Sequence, residues 1–227
     1  VNIGFYHIDT QTPDSDIGYL CAREMIKSAK ARMQSCRVVH FTDLDSPAVK
    51  GVDEVRRKPS EPMALLRMRH HAGVPGDWLF VDTDVIFQKP VQKVFKNPFD
   101  IAVTTRNWPH LKAAVGFTEK MPFNTGVIFS RCPAFWGEVY TRLRLLGPDL
   151  QEWMGDQEVI CNMVEDDACR YTIAKLKGSQ YNYPPALAED FDDGKASQAE
   201  AAILHYKGPR RKTLLLGRLK QESRRCA

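Results

Sequence analysis

The chain of 227 residues has no Gly-x-x-x-x-Gly-Lys segment, and no Gly-x-Gly-x-x-Gly turn follows its first apolar run. Both absences argue against an ordinary kinase, NTPase or dehydrogenase, whose phosphate grip needs backbone amides at close approach. No apolar run nears the roughly 20 residues that cross a bilayer, and the N-terminal residues lack the basic and apolar regions of a signal peptide. The expectation is a soluble, cytoplasmic chain with no membrane partner. It begins at Val1 rather than Met, which leaves open an anchor or tag ahead of it. The six cysteines, at 21, 36, 132, 161, 169 and 226, form no Cys-x-x-Cys pair and no regular spacing. They read as reduced core thiols rather than as disulfides or zinc ligands.

Hydrophobic residues at 43% and charged residues at 26% are ordinary for a globular protein and exclude a largely disordered one. The length suits one α/β domain near its upper size, here residues 1–212, followed by a basic tail over 213–227. The net charge of +4 is concentrated late, in Lys207, Arg210, Arg211, Lys212, Arg218, Lys220, Arg224 and Arg225. Such a cluster is either a solvated face or a site for a diphosphate or polyanion.

Strands are expected at Asn2 to Ile8, Cys36 to Thr42, Trp78 to Phe87, Asp100 to Thr105, Asn124 to Phe129, Tyr171 to Leu176 and Ile203 to Tyr206. Helices are expected at Ile17 to Ser35, Ala64 to His71, Pro133 to Leu146 and Asp156 to Val164. A loop holds Trp108 and Pro109, and Glu189 to Gly194 reads as an acidic loop. Strands alternating with helices imply a mainly parallel, doubly wound sheet with ligands beyond the carboxyl ends of its strands.

The run from Trp78 to Phe87 places two carboxylates, Asp82 and Asp84, in an otherwise apolar, β-prone segment. An unpaired buried carboxylate costs several kcal/mol on typical estimates, so the pair needs a compensating charge. In an extended chain residues two apart face one side, which lets both aspartates meet one divalent ion. Hard oxygen ligands suit magnesium or manganese, which keep positions open for substrate phosphates. The plainer reading is a strand-end turn whose aspartates cap loop amides.

Three further segments weigh against that reading: Phe123-Asn124-Thr125-Gly126, Gly155-Asp156-Gln157, and His205-Tyr206-Lys207-Gly208-Pro209-Arg210-Arg211-Lys212. With Phe80-Val81-Asp82-Thr83-Asp84 they resemble, in order and approximate spacing over residues 60–212, the metal-dependent glycosyltransferases of GT-A fold. The resemblance is nearest to the retaining, glycogenin-like enzymes of glycosyltransferase family eight. It implies a Rossmann-like, mainly parallel sheet flanked by helices, with Asp82, Asp84 and His205 as ligands of Mn2+ or Mg2+. The ion would bridge the diphosphate of a nucleoside diphosphate sugar, with UDP-sugar the expected donor. Gly208 would admit a phosphate and a cation would hold it. The family has lysine three residues after that glycine, where this chain has Arg211 followed by Lys212, so either is a candidate.

By the same resemblance Asn124, Asp156 and Gln157 would line the donor sugar and serve catalysis, while as a helix-starting carboxylate Asp156 also reads as an N-cap. Arg67 matches the arginine that contacts the donor, with Arg69 two residues away as the other candidate. Thr83, between the aspartates, joins the donor contacts. His7 and Asp9 lie where the family binds the nucleobase, although their identities do not match closely. Trp108, Trp136, Trp153, Tyr181 and Tyr183 read as core or rim aromatics, and Tyr181-Asn182 resembles a segment near the acceptor. The segments at Asn107-Trp108-Pro109, Met121 to Gly126 and His205 to Arg210 are similar to small nucleotide-diphospho-sugar transferases of bacterial viruses, which implies the cytoplasm of a bacterium or a phage-infected host cell. The acceptor implied is a hydroxyl on a hydroxymethylated base in DNA, or on a protein or glycan, and the clustered Lys and Arg add some weight to DNA without deciding among the three. A sugar-nucleotide pyrophosphorylase would need a Gly-rich, Arg-containing loop after the first strand, and His7 to Thr12 offers none. A non-catalytic nucleic-acid-binding module would leave the two aspartates unexplained. Oligomeric state has no signature in the sequence.

Overall fold

A computed structural model describes residues 1–106, 108, 121–187 and 198–225, with the side chains at 13, 14 and 218–225 left aside. Asn107, Pro109, the Glu189 to Gly194 loop, Cys226 and the side chains of Arg218, Lys220, Arg224 and Arg225 lie outside what it describes. The strands are β1 (Asn2–Tyr6), β2 (Arg37–Thr42), β3 (Glu54–Arg57), β4 (Trp78–Val81), β5 (Val85–Phe87), β6 (Ile101–Thr105), β7 (Phe123–Ser130), β8 (Ile173–Leu176) and β9 (Ile203–His205). The helices are α1 (Pro13–Arg32), α2 (Met63–Ala72), α3 (Pro133–Leu143), α4 (Pro148–Glu152), α5 (Gly155–Glu165), α6 (Gly178–Tyr181) and α7 (Gly208–Arg225), with a 3-10 turn at Gln92–Lys96.

Seven strands form one sheet in the order β3-β2-β1-β4-β7-β6-β8, and β5 pairs with β9 in a separate two-stranded ribbon. Strands β3, β2, β1 and β4 run parallel, as do β6 and β8, while β7 is antiparallel to both β4 and β6. Alternation along β4 sorts its side chains. Leu79 and Val81 join Ile3, Phe5 and Met25 on the α1 side, and Trp78 and Phe80 join Met68, Trp136 and Ile160 on the side of α2, α3 and α5. Two apolar layers thus hold one sheet, and β4 is buried on both faces, as its apolar composition requires.

The structure corrects the reading of Trp78 to Phe87 as one strand. The chain turns at Asp82-Thr83-Asp84, and β5 leaves the main sheet to pair with β9. The aspartates therefore approach each other through a turn rather than along one face of a strand. Strand β3 is an addition to the expected set, because Glu-Val-Arg-Arg carries no alternation. The basic C-terminal segment is a helix from Gly208 that runs through residue 212, and its Leu215 is buried with Cys21, Tyr183, Leu204 and Tyr206. Cys21 and Cys161 are buried free thiols, and Cys36, Cys132 and Cys169 are free and half-buried. Among the described residues no helix is long and apolar enough to cross a membrane.

Candidate active site

Two pairings bring the chemistry together. Asp82 follows β4, and its N–H donates to the Gly126 carbonyl at 3.0 Å, so the β4–β7 ladder continues one residue past Val81↔Val127. The β5–β9 ribbon sets Val85 opposite His205, and the Tyr206 N–H donates to the Asp84 carbonyl at 2.8 Å. A residue more than a hundred positions away is thereby fixed beside the turn. Ligand atoms of Asp82, Asp84 and His205 all lie within 4.8 Å of one another. His205 Nε2 is 3.5 Å from Asp82 Oδ2 and 3.2 Å from Asp84 Oδ1.

These side chains fit a divalent ion on internal grounds. His205 Nδ1 is 2.8 Å from Asn182 Oδ1, an acceptor that keeps a proton on Nδ1 and turns Nε2 toward both carboxylates. Asn182 is itself held, since its Nδ2 donates to Thr104 Oγ1 at 2.7 Å and to Asn124 Oδ1 at 2.8 Å. Position 126 must be glycine: a Cβ there would stand 2.2 Å from His205 Cε1 and 2.7 Å from Asp82 Oδ2. Burial alone would raise the Asp84 carboxyl, but His205 and Lys212 outweigh it and the net direction is down. Asp84 stays ionised in the cleft, as a metal ligand must.

A second group of charges stands beside the triad. Arg67 projects from α2 and hydrogen-bonds the buried Asp156 through Nη2, while its Nη1 lies 3.4 Å from Asp82 Oδ1. Arg69 pairs with Glu61 at 3.1 Å, so of the two arginines Arg67 faces the site. Asp156 is the second residue of α5, whose N-cap is Met154 with no side-chain cap bond, so the carboxylate is engaged by Arg67 and not by capping. The next side chain, Gln157, is 4% exposed and accepts from Arg106 Nη2 at 2.9 Å. Weaker donors to it are Asn124 Nδ2 and Thr125 Oγ1, each at 3.5 Å.

Where the sequence leaves two cations open, the structure separates them. Lys212 Nζ lies 3.4 Å from Asp84 Oδ2, and Arg211 Nε donates to the Pro185 carbonyl at 2.8 Å. Gly208, the first residue of α7, has φ +78°, a left-handed conformation that favours glycine, with open space where a Cβ would stand. Thr83 is half-buried in the turn between the aspartates. Beside them Lys207 Nζ sits 3.4 Å from the centroid of Trp108, and burial, aided by Arg106 and Arg211, pulls its amine down to about 6.

His7 and Asp9 are placed differently. His7 is buried, and its carbonyl accepts from His40 Nε2 and Thr42 Oγ1. Asp9 Oδ1 accepts from Gln11 N–H and Ser15 Oγ, fixing the loop that leads into α1. The sequence resemblance places Tyr181-Asn182 near the acceptor, whereas the structure puts Asn182 behind His205 as the residue that orients its imidazole.

The described architecture resembles solved structures. Galactosyltransferase LgtC in complex with donor and acceptor sugar analogs aligns with TM-score 0.56 over 92% of this chain and 88% of that one, at 13% identity. The fold is that of GT-A glycosyltransferases. A glycosyltransferase involved in glycosylation of the major capsid of PBCV-1 aligns at 0.56 over 93% and 97%, with 14% identity. Glycosyltransferase GlyE of Streptococcus pneumoniae TIGR4 aligns at 0.57 with 18% identity, over 91% of this chain but 54% of its own. No protein-family model and no curated protein matches the sequence.

Proposed function

We propose that this protein is a metal-dependent glycosyltransferase that moves a sugar from a nucleoside diphosphate sugar, a UDP-sugar, to a hydroxyl acceptor. The observation that carries the reading is the triad: two carboxylates and an oriented imidazole within 4.8 Å, at the end of a central strand in a GT-A fold. Asp82, Asp84 and His205 would hold Mn2+ or Mg2+, which when bound neutralises the charge that grows on the departing diphosphate. Lys212, at the start of α7, supplies a second positive charge to that diphosphate, and Gly208 leaves it room. Asp156 faces the charge that develops on the sugar ring, with its carboxylate held by Arg67. Gln157 and Asn124 orient the sugar, and both are anchored by buried hydrogen bonds.

Membership of glycosyltransferase family eight and transfer with retention belong to the same proposal. Asp156 is the carboxylate available for a double displacement, and a front-face route would have the leaving phosphate take the acceptor proton. For the acceptor, the Lys and Arg of α7 support a polyanion, with DNA bearing hydroxymethylated bases as the reading to test first.

The experiment is incubation of hydroxymethylated DNA, protein and glycan acceptors with a panel of nucleotide sugars and manganese, followed by mass spectrometry. A hexose added to one acceptor class, lost on chelation, is the expected result. For DNA, binding falls with salt at a slope of about 0.9 per phosphate contact on a double-logarithmic plot. A flat salt response with no sugar on DNA removes that acceptor, and no transfer from any donor removes the enzyme reading.

A further inference from the structure

Beneath Arg67 lies a cavity of about 20 Å³ lined by Tyr6, Arg67, His71, Phe80, Asp82 and Asp156, among others. Among the described residues three buried polar atoms, Tyr6 Oη, Arg67 Nε and His71 Nδ1, have no hydrogen-bond partner, and their residues all line it. Buried donors and acceptors are almost always paired, so three orphans around one cavity need a shared partner. A cavity of this size holds about one water molecule, and three polar neighbours are what a buried water typically binds.

We propose that Tyr6 and His71 are positioning residues for Arg67, acting through one water held between them. Arg67 Nε–H donates to the water oxygen, and the water donates to His71 Nδ1 and to Tyr6 Oη. Each of these three atoms then has a hydrogen-bond partner. Burial, together with the nearby Arg67 charge, holds His71 neutral, which keeps Nδ1 able to accept. The imidazole cannot swing aside: it stacks on Phe80 with ring centroids 3.6 Å apart and meets the edge of Trp136 at 4.7 Å. Arg67 and His71 are four residues apart on α2, hence on one helical face.

A guanidinium bound only through Nη1 and Nη2 can still tilt about the line that joins them. A third bond at Nε fixes that plane, and with it the bridge from Asp82 to Asp156. The consequence for turnover rests on the glycosyltransferase reading, whereas the water-mediated geometry does not.

The test uses Tyr6→Phe, which removes only the hydroxyl, His71→Phe, which keeps the ring and removes Nδ1, and His71→Asn, which restores a polar atom near it. The first readout is the Arg67 Nε–H signal in 15N NMR, assigned by its loss in Arg67→Lys. In the wild type it should exchange slowly, and in Tyr6→Phe and His71→Phe about tenfold faster, with partial recovery in His71→Asn. The second readout is turnover. The two Phe variants should each lower kcat about tenfold with donor KM held within about twofold, and neither should have further effect in an Arg67→Lys background. An Arg67 signal unchanged in both Phe variants overturns the proposal, as does a full loss of turnover for Tyr6→Phe in the Arg67→Lys background. If the wild type turns over no nucleotide sugar, the functional reading fails while the Arg67 signal still decides this one.

Discussion

Buried polar side chains gather at the mouth beyond β4 and β7 and along the flank formed by β1 and β2, where His40 lies on the α1 face of the sheet and His70 of α2 on the other. At the mouth, charge answers charge: Asp84 lies beside Lys212, and Asp156 is matched to Arg67. On the flank two histidines are kept neutral. His40 Nδ1 accepts from Val49 N–H at 3.4 Å, which leaves Nε2 to donate to the His7 carbonyl at 3.0 Å, and His70 Nε2 bonds the Thr42 carbonyl at 3.1 Å. Burial pushes both imidazoles down to about 4. Paired charges near an opening are poised for an ion or a phosphate, whereas neutral, hydrogen-bonded histidines stacked on Phe5 and packed on Phe41 are built for packing.

The difference is broken most sharply at Asp84. Asp84→Asn keeps the shape but removes the charge, and should lower donor turnover by about a thousandfold while circular dichroism shows the fold retained. Turnover near the wild-type value would place the triad among structural charges. Asp156→Asn should come next, with a loss of about a hundredfold in kcat and little change in donor affinity, because it removes a charge that answers the transition state. Steady-state kinetics separate this from a capping role, which Asn fills about as well.

Asn182→Ala should weaken manganese affinity by about 10- to 100-fold, as loss of a hydrogen bond that orients a ligating histidine typically does. A calorimetric titration that finds the affinity unchanged would show that His205 holds its orientation without Asn182. The flank yields the smallest effect and a different signature. His40 and His70 take protons more readily unfolded than folded, so stability rises with pH from about 4 to about 6.5 and falls on acidification across that window. Denaturant unfolding at several pH values should show that slope, reduced in His70→Leu. An unaltered slope in that variant would assign the dependence to other groups.

What the sequence makes legible follows the same division. Two acids in an apolar strand conflict with burial, and that conflict by itself points to Asp82 and Asp84. The turn between them is not legible, because Val-Asp-Thr-Asp-Val reads as alternation until β9 is known to draw β5 away. Asn182 is illegible for a related reason: an ordinary amide gains its role only through Thr104, Asn124 and His205, which come from three other parts of the chain. Strand β3 lacks a pattern because it is an edge strand with half-exposed charges. The basic excess of the C-terminal segment hides a helix whose Leu215 packs on the body of the protein.

The central claim is that Asp82, Asp84 and His205 form one metal site completed by a nucleoside diphosphate. Calorimetric titration of manganese into the protein with UDP present addresses it directly. The account predicts one ion bound per chain, tighter with UDP than without, and loss of that binding in both Asp84→Asn and His205→Ala. Binding unchanged in both variants, or no manganese bound by the wild type with UDP present, would contradict it.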